Sequence, residues 1–275
     1  MTRILGVLAA LLSLASAAQA QTTAAAPASA SQGASGADLA KKLSNPVADL
    51  ISVPFQLNYN QGYGDGDGEQ TYVNIQPVIP FAISDNWNVI SRTILPIVSQ
   101  DGVIPGEGSQ LGFGATTQSF FLSPKTPTSF GLIWGVGPVF LIPTATDGIA
   151  TNQWGAGVTG VALRQKGPWT VGALGNHIWS LTGNDEHGEI SQTFLQPFVS
   201  YTTPKATSFT LNTESTYDWE REQWSVPINA VVGQVVRIGK RPVQFALGAR
   251  YWADAPEAGP DGWGARFQVT LLFPK

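Results

Sequence analysis

Residues 52–60 read SVPFQLNYN, and their hydropathy alternates from one residue to the next. Val53, Phe55 and Leu57 fall on one face of an extended chain, and the polar side chains fall on the other. Alternation of this kind is typical of a β-strand with one apolar and one polar face. The same period returns in TYVNIQPVIPF (residues 71–81) and in RFQVTLLF (residues 266–273). The sequence therefore predicts strands from residue 52 onward.

Twelve segments with this character follow one another along the chain. We place them near residues 52–60, 70–83, 87–98, 111–123, 129–142, 152–165, 169–180, 190–202, 208–217, 224–236, 243–253 and 263–273. Strands of soluble proteins average about 5–6 residues, whereas tilted membrane strands need about 9–11. The predicted strands have the membrane length, and an even number of them is the rule for single-chain bacterial barrels.

The composition favours the same architecture. Only 12% of the residues are charged, and the chain carries nine Trp and thirteen Phe. Ordinary soluble domains are roughly 25% charged. After the first twenty residues no stretch approaches the ~20 apolar residues of a spanning helix. A membrane chain without such a helix must satisfy its backbone hydrogen bonds between strands. We predict an all-β fold, a transmembrane antiparallel β-barrel of about twelve strands with a short N-terminal helix at most.

The N-terminus has the features of an export signal. Arg3 precedes an apolar run, and Ala18-Gln19-Ala20 supplies a small-x-small cleavage pattern. We predict a signal peptide over residues 1–20, cleaved after Ala20, and a disordered low-complexity leader over residues 21–37. A short helical segment, broken by Pro46, is expected over residues 38–51, and the barrel over residues 52–275. The expected location is the bacterial outer membrane.

The connections between the predicted strands segregate by charge. The odd connections hold fifteen of the nineteen acidic residues and a single basic one, Arg221. The even connections hold one acid, Asp85, and six basic residues: Lys125, Lys166, Lys205, Arg237, Lys240 and Arg241. The odd connections are also mostly longer. Long loops lie outside the cell and short turns in the periplasm in bacterial barrels, so the sequence predicts acidic loops outside and basic turns inside.

Tryptophans recur at the ends of the predicted strands. Indole is apolar in bulk yet carries one N–H donor, so Trp prefers the membrane interface. We expect an aromatic girdle formed by Trp87, Trp154, Trp169, Trp179, Trp224 and Trp263. The alternative is that these are core residues of a soluble β-protein.

Several polar residues share the parity that a barrel turns inward. A charge that faces lipid at mid-membrane costs about 2–4 kcal/mol, so charged residues within strands should point into the lumen. The expected lumen-lining residues are Arg92, Glu214, Arg250, Arg266, Gln76, Asn74, Gln196, Asn212 and Trp252. Tyr72, Phe194 and Phe198 have the same parity. Two interpretations remain open: Glu214 holds the barrel closed by pairing with Arg across the lumen, or these groups line a polar permeation path.

Motifs for catalysis or metal binding are weak. The chain has no Cys and two dispersed histidines, so no metal site or cofactor is expected. His177 near Ser180 suggests a lipid-facing hydrolase, but no G-x-S-x-G motif accompanies it. The acidic DGDGE segment at residues 65–69 lacks the EF-hand spacing. A solvated loop is therefore the favoured interpretation of this segment, with weak cation binding as the alternative.

Several segments also resemble a known family. They are LSNPVADLISVPFQLNYN (residues 43–60), WNVISRTILPIV (87–98), WGVGPVFLIPTATD (134–147) and GWGARFQVTLLFPK (262–275). From Leu43 to Lys275 the chain resembles a bacterial family of outer-membrane proteins linked to the MetA pathway of phenol degradation. The resemblance implies a barrel that takes up small apolar or aromatic compounds, and it supplies no catalytic residues.

The function predicted from the sequence is a non-enzymatic channel or transporter for passive uptake of small molecules. One alternative is a structural or adhesive barrel with a plugged interior, and another is the lipid-facing hydrolase. The expected partners are outer-membrane lipid, lipopolysaccharide, the barrel assembly machinery and a small solute whose identity the sequence leaves open. The C-terminal strand ending in Phe273 resembles the signal that the assembly machinery reads. Nucleic acid is not an expected partner.

Overall fold

The computed structural model describes residues 34–64, 67–181 and 188–274. The predicted signal peptide, its cleavage site at Ala20 and most of the predicted leader lie outside these residues, as do Asp65 and His187. One helix, α1 (Gly36–Leu43), precedes the strands. Among the described residues no helix has both the length and the apolarity needed to cross a membrane.

Fifteen strand segments follow the helix. They are β1 (Ile51–Tyr63), β2 (Gly68–Ile75), β3 (Val78–Ala82), β4 (Trp87–Asp101), β5 (Gln110–Phe113), β6 (Thr116–Pro124), β7 (Leu132–Ile142), β8 (Gly155–Lys166), β9 (Trp169–Ser180), β10 (Ser191–Thr202), β11 (Thr207–Thr213), β12 (Ser215–Asp218), β13 (Gln223–Ile238), β14 (Arg241–Asp254) and β15 (Gly262–Phe273).

The segments form a closed barrel of twelve strands. The pairs β2 and β3, β5 and β6, and β11 and β12 are each two halves of one interrupted strand. Every strand pairs antiparallel with its neighbour in the chain, from β1 to β15. The last strand closes the ring, since Ile51 lies opposite Phe273 and Tyr59 opposite Ala265 in the pairing of β1 with β15. The predicted twelve-stranded antiparallel barrel is confirmed.

The three interruptions share one cause. At each of them a backbone N–H donates to the carbonyl of a proline on the neighbouring strand, which has no N–H to return the bond. The donor and proline pairs are Gln76 with Pro54 (2.9 Å), Gly114 with Pro96 (2.9 Å) and Glu214 with Pro227 (3.3 Å). The register on both sides of Glu214 is the same, so the strand loses a hydrogen bond there without slipping.

The two faces of the barrel differ in character. Along β14, Phe245, Leu247 and Tyr251 are exposed on the outer face, while Ala246 and Arg250 are buried inside. Leu247 is 66% exposed. The same alternation runs along β1, where Phe55 and Leu57 face outward. The outer wall is therefore an apolar band of the kind that faces lipid in membrane barrels.

The chain before β1 lies against the inner wall. Ser35 caps α1, since its hydroxyl accepts a hydrogen bond from the Asp38 N–H while the Asp38 carboxylate accepts from the Ser35 N–H. This capping box starts the helix at Gly36, inside the range assigned to a disordered leader, and places its end at Leu43, before Pro46. The helix therefore begins two residues before the predicted helical segment, because its cap residue, Ser35, lies upstream of the apolar pattern.

Candidate functional site

A group of charged residues meets at the middle of the lumen. Glu214 lies at the interruption between β11 and β12, and its carboxylate bridges Arg250 on β14 and Arg266 on β15. The Arg266 guanidinium binds both carboxylate oxygens, at 2.9 and 2.7 Å, and the Arg250 Nη2 donates to Oε2 at 2.6 Å. Bidentate pairs of this kind are strong and directional. The sequence prediction that Glu214 pairs with arginines across the lumen agrees with this geometry.

Neutral side chains complete the coordination of these two arginines. The Nε of Arg250 donates to Asn229 at 2.8 Å, and its Nη1 donates to the Tyr72 hydroxyl at 2.6 Å. The Nε of Arg266 donates to Asn58 at 2.8 Å. Arg250 is 2% exposed and Arg266 3%. Both guanidiniums are thus held rigidly on the wall, with each of their nitrogens in a hydrogen bond.

Arg92 on β4 is bound differently. Within the described chain its guanidinium makes one hydrogen bond, from Nη2 to the Gln76 Oε1 at 3.4 Å, and no carboxylate lies within 4 Å of it. A guanidinium offers five N–H donors. Since Glu214 already binds Arg250 and Arg266, the three arginines exceed the single carboxylate by two positive charges.

A cavity of about 240 Å³ opens beside this group. Its lining includes charged and amide side chains, among them Lys42, Arg92, Glu214, Arg266, Gln76, Gln196 and Asn212. It also includes apolar side chains, among them Leu50, Val78, Leu174 and Phe198. The cavity is slightly smaller than the 300–1,000 Å³ typical of sites for drug-sized ligands, and its lining suits a small molecule with polar and apolar parts.

The N-terminal segment, residues 34–50, fills part of the lumen on the side of the short turns. Leu39 and Leu50 pack with Val235 and Leu272 of the wall. Val47 packs with a second apolar cluster that includes Ile90 and Phe121. A Cβ built on Gly135 would lie 3.2 Å from Val47 Cγ1, so a larger residue at this position would crowd the segment.

This end of the lumen is apolar. Inward-facing residues near the short turns form the second apolar cluster: Ile90, Phe121, Val161, Leu163 and Leu174. Phe194 and Phe198 pack against the same cluster. The N-terminal segment packs inside the barrel here, and the inward side chains of the wall form an apolar core with it.

The remaining predicted lumen residues lie on the inner wall in different surroundings. Asn212 accepts a hydrogen bond from Asn229 at 2.8 Å. Trp252 donates to Asn60 at 3.2 Å, and its ring lies 5.5 Å from the guanidinium carbon of Arg250. Asn74 lies opposite Gln56 in the pairing of β1 with β2, one inward position from Gln76. Asn74 and Trp252 do not line the cavity.

The tryptophans predicted to form a girdle lie at or beside the strand ends. Trp154, Trp169, Trp179, Trp224 and Trp263 are each between 41% and 63% exposed. Trp87 packs edge-to-face with Trp134, with ring centroids 6.0 Å apart. Trp134 and Trp219 also lie near strand ends. They were not among the predicted girdle residues, because Trp134 follows a turn and Trp219 lies in a loop.

His177 does not meet a serine. It lies on the outer face of β9, and its Nδ1 is 2.7 Å from the Thr193 hydroxyl. Ser180, the nearby candidate, instead accepts a hydrogen bond from the Ile190 N–H. The Ser/His pair that a hydrolase would need is therefore not formed at this position. The described part of the chain contains no group of three or more His, Asp or Glu that could hold a metal ion.

Sequence reasoning also missed Asn229 and the packing of Leu39. Asn229 is the lone polar side chain in the middle of VPINAVV, a segment that is apolar on both faces, and this isolation was the available signal. Leu39 and Leu43 lie four residues apart on one side of the short helix, which indicates an apolar helix face.

Comparisons with known proteins agree with this architecture. The crystal structure of an outer membrane channel from Pseudomonas putida F1 superposes with a TM-score of 0.63 and 17% identity, over 82% of this chain and 94% of that one. Outer membrane phospholipase A from Escherichia coli superposes with a TM-score of 0.49 and 11% identity, over 80% and 89%. No protein-family model and no curated protein sequence matches the chain. The superposition with the Pseudomonas putida channel shows that the chain has the fold of an outer-membrane barrel.

Proposed function

We propose that this protein is an outer-membrane channel for the passive uptake of small molecules with an apolar or aromatic part. The observation that carries the proposal is the lumen cavity, which is lined by charged and amide groups and by Leu50, Leu174 and Phe198. A closed barrel with an apolar outer wall places such a cavity between the two sides of a membrane. The resemblance to the phenol-degradation family supports the same class of solute.

The charge of the connections supports an orientation. The acidic loops between β14 and β15 and between β12 and β13 would face outward, and the short turn at residues 239–240 would face the periplasm. Outer-membrane lipid, lipopolysaccharide and the barrel assembly machinery remain proposed partners, and cleavage after Ala20 remains the proposed maturation step.

A plugged, non-transporting barrel is the second candidate, and one observation favours it. Leu39 and Ala40 of the N-terminal segment are completely buried. The segment is also tied to the wall, because Lys41 donates to the Gly167 carbonyl at 2.9 Å and Gln165 donates to the Lys41 carbonyl at 2.9 Å. A segment that never moves would close the lumen.

Two measurements on the folded protein test the proposal. We expect discrete conductance steps in planar bilayers and swelling of proteoliposomes in small solutes, with no swelling in oligosaccharides too large for the cavity. Liposomes without protein and proteoliposomes made with heat-denatured protein are the controls. Absence of both conductance and swelling above these controls would contradict the channel and favour the plugged barrel.

A further inference from the structure

The lumen cavity combines an excess of positive charge with an apolar wall. We propose that its ligand is a small carboxylate with an apolar or aromatic body, held by Arg92 through its carboxylate and by Leu174 and Phe198 through its body. The inference rests on the proposed function and deepens it, because it names the chemical class of the solute.

The three arginines differ in how many of their donors are used. Every guanidinium nitrogen of Arg250 and Arg266 has an acceptor among Glu214, Asn229, Asn58 and Tyr72. Arg92 has one acceptor, Gln76, at 3.4 Å. Arg250 and Arg266 therefore bind other residues of the wall, while most N–H donors of Arg92 remain for a ligand in the cavity.

Positive charge exceeds negative charge around the cavity. Among the described residues that line it, Glu214 is the one carboxylate, and the cations are Lys42, Arg92 and Arg266. Arg250 binds the same carboxylate from the wall. A guanidinium stays protonated in proteins, so the excess charge persists at all physiological pH values. A carboxylate matches both this charge and the planar fork of the donors, whereas a cation would be repelled.

The apolar part of the lining fits the rest of the ligand. The same cavity is lined by Leu50, Val78, Leu174 and Phe198. Val78 is the register partner of Arg92 in the pairing of β3 with β4, so an apolar residue adjoins this arginine on the wall. Gln196, whose side chain makes no hydrogen bond within the described chain, adds an amide to the lining. A carboxylate on a ring or a short aliphatic chain satisfies both kinds of lining at once.

Equilibrium dialysis with benzoate and benzamide tests the inference directly. The two molecules share the ring and the planar substituent, and only benzoate carries a charge at pH 7. With the full-length protein in lipid nanodiscs, we expect benzoate to bind at least about tenfold more tightly, since a charge-assisted bidentate contact is replaced by neutral ones. Equal binding of the two molecules would overturn the inference.

Substitution of Arg92 provides the second arm. Arg92→Gln should remove the preference for benzoate, while Arg241→Gln, the same change at the exposed start of β14, should keep it. A preference that survives Arg92→Gln overturns the inference. If Arg92→Gln does not fold, as judged by heat-modifiable gel mobility, Arg92→Met decides instead, because it keeps a long side chain but loses the charge. An unchanged preference in Arg92→Met also overturns the inference.

The result of this binding test can be distinguished from the result of the conductance and swelling tests of the proposed function. A protein that conducts and swells liposomes but binds benzoate and benzamide equally is a channel without this specificity. A protein that prefers benzoate but passes no solute has the binding site without the channel.

Discussion

Glu214 is the residue on which the centre of the lumen depends. It is the acceptor for both Arg250 and Arg266, and its side chain retains 21% exposure. Without its carboxylate, three arginines would face one another with only neutral acceptors. Removal of one partner from a buried pair typically costs 3–5 kcal/mol, because the remaining charge is uncompensated.

We expect Glu214→Gln to lower the free energy of unfolding by about 3 kcal/mol, the low end of that range because water reaches the side chain. Urea unfolding in lipid vesicles, followed by Trp fluorescence, measures this change. Glu220→Gln, the same substitution in an exposed turn, should shift stability by no more than about 0.5 kcal/mol. Equal stability of Glu214→Gln and the unchanged protein would show that the ion pairs are not needed to hold the lumen.

For single residues, the sequence indicates which charged side chains face the lumen, but it does not indicate their hydrogen-bonding partners. Arg92, Arg250, Arg266 and Glu214 were placed inside because a charge on the lipid face is costly. The sequence could not predict which arginine keeps free donors for a ligand. That depends on the relative shift of neighbouring strands, which brings residues of β11, β14 and β15 to the same height in the barrel. The pairing of Arg250 with Asn229 is set by strand register, and no local pattern records it.

Among the elements, the N-terminal segment has the strongest influence on the lumen. Its helix is eight residues long, too short to be stable alone. Leu39 and Ala40 are buried against the wall, and the Arg237 guanidinium donates to the Ala34 carbonyl at 3.1 Å. Packing against the inner wall therefore holds the segment in place.

Leu39→Gln should loosen the segment, because a polar amide would replace a completely buried apolar side chain. We expect larger and more frequently fluctuating conductance in planar bilayers. Ala37→Gln introduces the same side chain at a partly exposed position of the helix and should leave the conductance unchanged. Identical traces for Leu39→Gln and the unchanged protein would contradict the role assigned to the segment.

The strands were predictable where the two-residue period is continuous. The strands β9 and β10 begin and end within one residue of their predicted limits. The interruptions at Gln76, Gly114 and Glu214 were not foreseen, since each depends on a proline in the neighbouring strand rather than in the local sequence alone. The start of α1 was misplaced for a related reason: its cap at Ser35 belongs to a stretch whose composition suggests disorder.

At the scale of the whole molecule, the barrel has an apolar outer wall that faces lipid and a lumen that changes from polar to apolar toward the short turns. The interior was only partly predictable, because the apolar clusters around Leu39 and Val47 form with the N-terminal segment. Inward-facing residues near the short turns are apolar because they pack against the N-terminal segment. Those at mid-barrel are polar because they surround the charged group of Glu214, Arg250 and Arg266. The outer face has a single requirement, contact with lipid, and its pattern is correspondingly regular.

A spin-label scan along β14 tests this arrangement most directly, and the absence of native Cys makes single labels straightforward. Cys is introduced in turn at Gln244, Phe245, Ala246 and Leu247, and the labelled proteins are reconstituted in bilayers. We predict high accessibility to oxygen dissolved in the lipid at Phe245 and Leu247, and low accessibility at Gln244 and Ala246, whose side chains are 7% and 6% exposed inside the barrel. Equal oxygen accessibility at all four positions would contradict the membrane barrel.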